Sequence, residues 1–221
     1  MSLFLTGTDT GVGKTHTAVC LLRLARAAGL RCAGLKPICC GDRSDAELLL
    51  AASSEGLTID ELNPVWLRTP AAPFASALVE EVEVKPETLL EAFWELQKRF
   101  DFVVIEGVGG WMVPIREDYF VADLARAMGL PVVVVVLNRL GCLNHAMLTV
   151  RSIERLGLTC AGLALNSIIP ISDVASRTNQ HVLRKISRLP ILPQLSEEAT
   201  EIPAEWRPLM PLNPNAVTSP N

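Results

Sequence analysis

Near the N-terminus a short apolar run, SLFLT (residues 2–6), empties into GTDTGVGKTHTA (residues 7–18). A buried strand followed by a glycine loop and then a helix leaves the chain few architectures. Glycines let the main chain curl so that successive N–H groups point at one anion, and the helix adds its partly positive N-terminus. The order is that of a phosphate loop in an α/β nucleotide-binding protein. Its spacing is irregular, because five residues separate Gly7 from Gly13 where the usual loop has four between its first glycine and its Gly-Lys pair. Counting back from Gly13-Lys14-Thr15 puts Thr8 at the first-glycine position, with Gly7 one step earlier. The functional end is intact, so Lys14 is placed to bridge the β- and γ-phosphates and Thr15 to coordinate Mg²⁺ through its hydroxyl.

The rest of the chain repeats strand, helix, strand. SLFLT (2–6), CAGLK (32–36), FVVIE (102–106), VVVVVL (132–137) and CAGLALN (160–166) are apolar without a period of two, as expected of parallel strands buried on both faces. Between the first two, Ala18, Leu21, Leu22 and Ala25 form one helical stripe that excludes Arg23 and Arg26 and ends at Gly29. A second helix is expected from the capping-box spacing Ser44 to Glu47, and a third over PETLLEAFWELQKRF, with Pro86 in its first turn and a Glu95–Arg99 pair. Further helices fit FVADLARAMG, NHAMLTVRSIERLG and residues 174–188. The predicted fold is a doubly wound, mostly parallel α/β sheet with helices on both faces, in one domain over residues 1–210, with residues 211–221 a loose tail.

Composition narrows the function. A net charge of −4 offers no basic field for nucleic acid or anionic lipid, so any anionic ligand must be held locally. The run LPVVVVVL is far shorter than the roughly 20 residues of a membrane helix, and MSLFLTG lacks a charged signal-peptide start. The six cysteines show neither C-x-x-C pairing nor disulfide-scaffold density; reduced thiols and a cytoplasmic protein are expected. Cys39 and Cys40 are adjacent and so do not space like metal ligands, His16 and His181 read as helix-surface residues, and Phe93 and Trp94 read as core.

In such a sheet a ligand lies beyond the carboxyl ends of the strands, so strand-end residues are the candidates for chemistry. Glu106 closes FVVIE before GVGG and suits a Mg²⁺ ligand opposite Thr15. Lys36 closes the second strand before Pro37. It either stabilises charge developing on a reacting group or is simply an exposed strand-end lysine. Asp45 either complements its helix dipole or acts together with Lys36. No nucleophile signature is present, which argues against covalent acyl chemistry.

Six segments in order, TGTDTGVGKT, GLKPICCG, RSDAELL, TPAAPFASA, IEGVGGWMVP and LGCLNHAMLT, closely resemble dethiobiotin synthetase. The resemblance implies a Mg²⁺- and ATP-dependent ligase that closes a cyclic urea from 7,8-diaminononanoate and CO₂ through a phosphorylated carbamate. It implies that Asp9, Thr10, Gly11, Val12, Gly13, Lys14, Thr15 and His16 hold the nucleotide and that Asn166 contacts adenine. Thr10, Lys14 and Lys36 would surround the carbamate and the transferred phosphoryl group, with Cys40 at the substrate. Thr15, Asp45 and Glu106 would hold Mg²⁺. It further implies a homodimer in which Gly141, Cys142, Leu143 and Asn144 of one subunit receive the substrate carboxylate of the other. The chain departs from the family pattern at Gly11, where some members have an acid, at Cys40, where some have serine, and at Pro193, in place of glycine.

Two other readings share the glycine loop. A partner-regulated ATPase switch of the partitioning or metal-insertion type resembles its relatives in a lysine early in the loop, where this chain has Asp9. A glutamine-dependent amide synthase would need a glutaminase domain, for which 221 residues leave no room.

Overall fold

The computed structural model describes residues 1–167 and 173–212. In chain order the elements are β1 (Ser2–Gly7), α1 (Lys14–Ala27), β2 (Cys32–Leu35), β3 (Ile38–Cys40), α2 (Ser44–Ala52) and α3 (Ile59–Leu62). There follow β4 (Val65–Leu67), α4 (Pro73–Val79), α5 (Pro86–Arg99), β5 (Phe102–Gly110), β6 (Pro114–Arg116) and β7 (Tyr119–Phe120). The last are α6 (Val121–Met128), β8 (Val132–Leu137), α7 (Cys142–Arg155), β9 (Cys160–Asn166), α8 (Val174–Ser187) and β10 (Ile191–Leu192).

Six strands form one sheet in the order β10-β9-β8-β1-β5-β2, and every pairing in it is parallel. The absence of a period of two in the strands has a direct cause. Phe4, Val103, Ile105, Val132 and Val134 point into one core with α5, α6 and α7, whereas Leu3, Leu5, Val104, Val133 and Val135 point into another with α1 and α2. Each face therefore selects apolar residues. The stripe Ala18, Leu21, Leu22 and Ala25 on α1 is fully buried, as its spacing predicts.

Several local expectations fail for identifiable reasons. Ser44 does not cap α2; Arg43 stands at the N-cap and the Ser44 hydroxyl donates to Asp42 instead. A complete capping box forms at α3, where the Thr58 side chain receives the Glu61 N–H and Glu61 reaches back to the Thr58 N–H. Glu95 pairs with Lys98 at 2.6 Å rather than with Arg99, whose guanidinium is taken by Glu61 and the Gly56 carbonyl. Phe93 is core, but Trp94 is 44% exposed, one position round the helix on the solvent side. Two-stranded pairs β3–β4 and β6–β7, outside the main sheet, were not anticipated. Of the tail read as loose, residues 213–221 lie outside the described residues. No helix among the described residues is long and apolar enough to cross a membrane, and all six cysteines are free.

Beyond β10 the chain folds back over the α1 face. Leu192, Leu195, Trp206 and Met210 join that core, and the Trp206 indole N–H donates to the Pro193 carbonyl at 2.9 Å. Trp206 is completely buried. Trp206→Ala is expected to destabilise the protein by about 3–5 kcal/mol through lost burial and an unfilled cavity, measured as a shift in the denaturant midpoint.

Candidate functional site

β1 lies at the centre of the sheet, between β5 and β8, so the loop that follows it opens at the middle of the carboxyl edge. Its curl explains both glycines that bracket it. A Cβ on Gly7 would stand 2.7 Å from the Asp9 carbonyl oxygen and 3.0 Å from Lys14 Nζ, so a side chain there would displace the lysine. Gly13 has φ +92°, a conformation side-chain-bearing residues rarely adopt, and a Cβ on it would meet Asn166 Nδ2 at 2.5 Å. Lys14 folds back over the loop, donating to the Asp9 carbonyl at 3.0 Å.

Strand register delivers the next two groups. Leu35 pairs with Ile105 in parallel, so Lys36 and Glu106 emerge side by side from the ends of β2 and β5. Lys36 Nζ donates to Glu106 Oε1 at 2.6 Å and to Asp45 Oδ2 at 2.7 Å. Lys36 is 3% exposed and Glu106 1%, which rejects the solvent-exposed reading of this lysine. Asp45, in the first turn of α2, therefore does more than complement a dipole. Thr15 Oγ1 lies 2.8 Å from both Asp45 Oδ1 and Glu106 Oε1, and its single hydroxyl hydrogen serves only one of them at a time.

The two lysines differ electrostatically. Burial works to strip the proton from Lys36, but the Glu106 and Asp45 charges and hydrogen bonds overcome it and hold Lys36 well above the ordinary lysine range. Lys36 is accordingly a fixed cation and not a proton acceptor. Burial also opposes ionisation of Asp45, and Lys36 outweighs it, keeping Asp45 below the usual carboxylate range. At Lys14 burial dominates, reinforced by Lys36, and brings it down to about 8 despite Glu106, Asp45 and Asp9.

Thr10, Gly11, Gly13, Lys14, Thr15, Lys36, Cys40, Asp45 and Glu106 all line one cavity of about 690 Å³. Its apolar lining comes from residues 70–73, between β4 and α4, with Val108 and Val113. The TPAAPFASA segment that contributes to this lining carries no titratable group, so chemistry-bearing residues alone do not reveal it. Asp42 and Ser44 at the mouth were likewise missed.

The remaining predicted residues are placed less directly. Asp9 is exposed and its side chain accepts the Thr10 N–H at 2.8 Å; Val12 is buried beneath the loop. Asn166 closes β9 and is 2% exposed; its Nδ2 donates to the Val12 carbonyl at 3.1 Å and approaches the Gly13 carbonyl at 3.3 Å, which turns Oδ1 away from the loop. That oxygen is buried without a partner among the described residues. The His16 side chain, half-buried rather than on an open surface, donates from Nε2 to the Leu195 carbonyl at 2.8 Å, so it holds the C-terminal segment and leaves only its main chain to the loop. His181 is exposed. Gly141, Cys142, Leu143 and Asn144 begin α7 and do not line the cavity of their own chain.

The donor set suits Mg²⁺. Thr15, Asp45 and Glu106 offer hard oxygens, and Glu106 Oε2 is buried with no partner among the described residues. No cluster of three or more His, Cys, Asp or Glu able to hold a metal occurs among the described residues.

A phosphate loop between central parallel strands, with an invariant-charge lysine and two carboxylates facing it, defines a P-loop NTPase-like nucleotide-binding protein. Solved structures of this class share the fold. The septum site-determining protein MinD of Pyrococcus horikoshii, complexed with Mg-ADP, aligns with TM-score 0.56 at 17% identity over 88% of this chain and 82% of that one. The signal recognition particle receptor FtsY of Elizabethkingia anophelis, with GDP, aligns with TM-score 0.54 at 16% identity over 90% of this chain and 58% of that one. A family model described as an AAA domain matches residues 1–200.

Sequence relatives are more specific. ATP-dependent dethiobiotin synthetase BioD of Akkermansia muciniphila is 42% identical over 194 residues, covering 88% of this chain and 91% of the relative. The enzyme of the same name from Aromatoleum aromaticum is 43% identical over 210 residues, covering 91% and 93%. The chain belongs to the dethiobiotin synthetase family.

Because ligand-free Lys14 is charged and buried against its preference at neutral pH, Lys14→Met is expected to raise the thermal midpoint at pH 7 while abolishing ATP turnover. Lys14 in the folded protein sits below the ordinary lysine value, so the penalty is full below about pH 8 and fades as pH rises toward the unfolded value. Paired melts from pH 7 to 10 should therefore show the stability advantage of Lys14→Met shrinking; a constant gap would contradict the assignment.

Proposed function

We propose that the protein is a Mg²⁺- and ATP-dependent dethiobiotin synthetase acting on 7,8-diaminononanoate and CO₂. The observation that carries this reading is the convergence of Lys14, Thr15, Lys36, Asp45 and Glu106 on one cavity that also has an apolar lining from residues 70–73, Val108 and Val113. The charged groups suit a triphosphate and the apolar lining an aliphatic diamine.

Dissolved CO₂ and one amine form a carbamate with loss of a proton. A carbamate oxygen is a poor leaving group, so one of its oxygens attacks the γ-phosphorus and ADP departs, giving a carbamic–phosphoric mixed anhydride. The second amine then attacks the carbonyl carbon, phosphate leaves, and the cyclic urea results. Amides of residues 9–16 bind the phosphates, Lys14 follows the β- and γ-groups, and the fixed positive charge of Lys36 stands where carbamate and transferred phosphoryl meet. Thr15, Asp45 and Glu106 would hold Mg²⁺, which supplies charge neutralisation of the phosphate oxygens. Thr10 and Cys40 line the diamine side; the Cys40 thiol is a weaker hydrogen-bond partner than a hydroxyl. Asn166 Oδ1 is an acceptor suited to the exocyclic amine of adenine.

The same reading makes the protein a cytoplasmic homodimer, with Gly141–Asn144 receiving the carboxylate of substrate bound to the partner. Two features support it. Gly141 starts α7 in a left-handed conformation with no side-chain cap among the described residues; the Cys142 N–H is taken by the Arg139 carbonyl at 3.1 Å, which leaves the next amides of the first turn for an anion. Leu140 beside it is 80% exposed, Leu148 in the middle of α7 62%, and Met112, which contacts Ser152 in the last turn of α7, 56%, so apolar side chains are exposed along the length of this helix.

ADP release is expected to require both diamine and bicarbonate, with the cyclic urea detected by mass; equal release without diamine would overturn the synthetase reading. Lys36→Ala is expected to slow single-turnover phosphoryl transfer by about 10²–10³-fold, and an unchanged rate would remove Lys36 from the reaction.

A further inference from the structure

Lys36 stands one residue past the end of β2 and before Pro37, which has no N–H to extend a ladder. Its main chain is nevertheless held on both sides. The Lys36 N–H donates to the Leu62 carbonyl at 2.9 Å, and the Lys36 carbonyl accepts from Asn63 Nδ2 at 2.8 Å. The second Asn63 amide hydrogen goes to the Val65 carbonyl at 3.0 Å, and Asn63 Oδ1 accepts from Arg43 Nε at 2.7 Å. Asn63 is 1% exposed, so each of these bonds is made out of water, where an unmade one would be costly.

Arg43 closes the arrangement. It also donates to the Asn63 carbonyl at 2.8 Å and to Asp60 at 2.7 Å, its guanidinium lies over the Trp66 ring, and it is the N-cap residue of α2. Two positions later in the chain, Asp45 grips the Lys36 ammonium. The Lys36 side chain, Asp45, the start of α2, Arg43, Asn63 and the Lys36 carbonyl thus form one ring. Neither Asn63 nor Arg43 lines the cavity.

We infer that Asn63 is a positioning residue for Lys36, fixing through its side-chain amide, oriented by Arg43, where the lysine and Asp45 stand relative to the phosphate loop. The inference rests on the role given to Lys36 under the proposed function. Misplacement of a reacting group by an ångström costs about a hundredfold in rate without touching remote binding contacts.

The test compares Asn63→Ala, Lys36→Ala and the double variant in the full-length protein, by diamine-dependent single turnover and by ADP affinity. Asn63→Ala is expected to lower the rate by about ten- to a hundredfold and leave the ADP Kd within about twofold, since the loop is untouched. In the Lys36→Ala background the same change is expected to cost less than about twofold more, because the group it positions is gone. Should Asn63→Ala not give folded protein, Arg43→Gln, which keeps Asn63 but removes the group orienting its amide, is read by the same criteria. An unchanged rate, or an equal further loss without Lys36, would overturn the inference; full activity of Lys36→Ala alone would instead overturn the functional reading beneath it.

Discussion

A lysine ammonium buried between two carboxylates is the contact on which the rest of this molecule depends. Desolvating two charges, Lys36 and Glu106, is expensive, and close contact between them, with the half-exposed Asp45 as second partner of the lysine, offsets the cost. Here Lys36 reaches Glu106 at 2.6 Å and Asp45 at 2.7 Å. The arrangement requires β2 to pair with β5 in a single register and α2 to begin where its first turn overhangs the sheet edge. With Lys14 counted, two cations face two anions at the cavity end, so the site is near neutrality before nucleotide arrives. Under the proposed function a triphosphate would enter a polar, pre-arranged surface instead of having to assemble one.

How much of this was legible from residue order depended on where the determining contacts lie. The five main strands declare themselves because both their faces meet helices, and the phosphate loop because its strand, glycines and helix are contiguous. Glu106 and Lys36 were legible as strand ends, but whether Lys36 is exposed or buried is decided by residues 9 and 70 positions away. Capping shows the same limit. Ser44-x-x-Glu47 and Thr58-x-x-Glu61 have the same spacing, yet only the second forms the box, because Asp42 diverts the Ser44 hydroxyl. Strands as short as β3, β4, β6 and β7 carry no periodicity to read, and Trp94 shows that an aromatic beside a core phenylalanine can still face water.

The sheet alone says little about chemistry. It is shared with proteins named for septum placement and for signal-particle reception, at identities of 17% and 16%. What distinguishes this chain is attached to the sheet's edge: an apolar wall at residues 70–73, Cys40 beside it, and an uncapped α7 outside the cavity of its own chain. In the proposed function those additions are what would let a phosphate-holding site also hold a carbon chain.

The central place of β1 has a bearing on how the chain acquires its structure during synthesis. Ser2 pairs with Val103 and Phe4 with Val132, so the central strand gains its two neighbours only from segments roughly a hundred residues or more further along the chain. Closing such long loops is entropically slow and leaves apolar segments uncovered in the meantime. The loop that follows β1 therefore takes its place between β5 and β8 only when these distant segments are also in place, and a nascent chain halted before residue 132 would leave the β8 side of β1 unpaired.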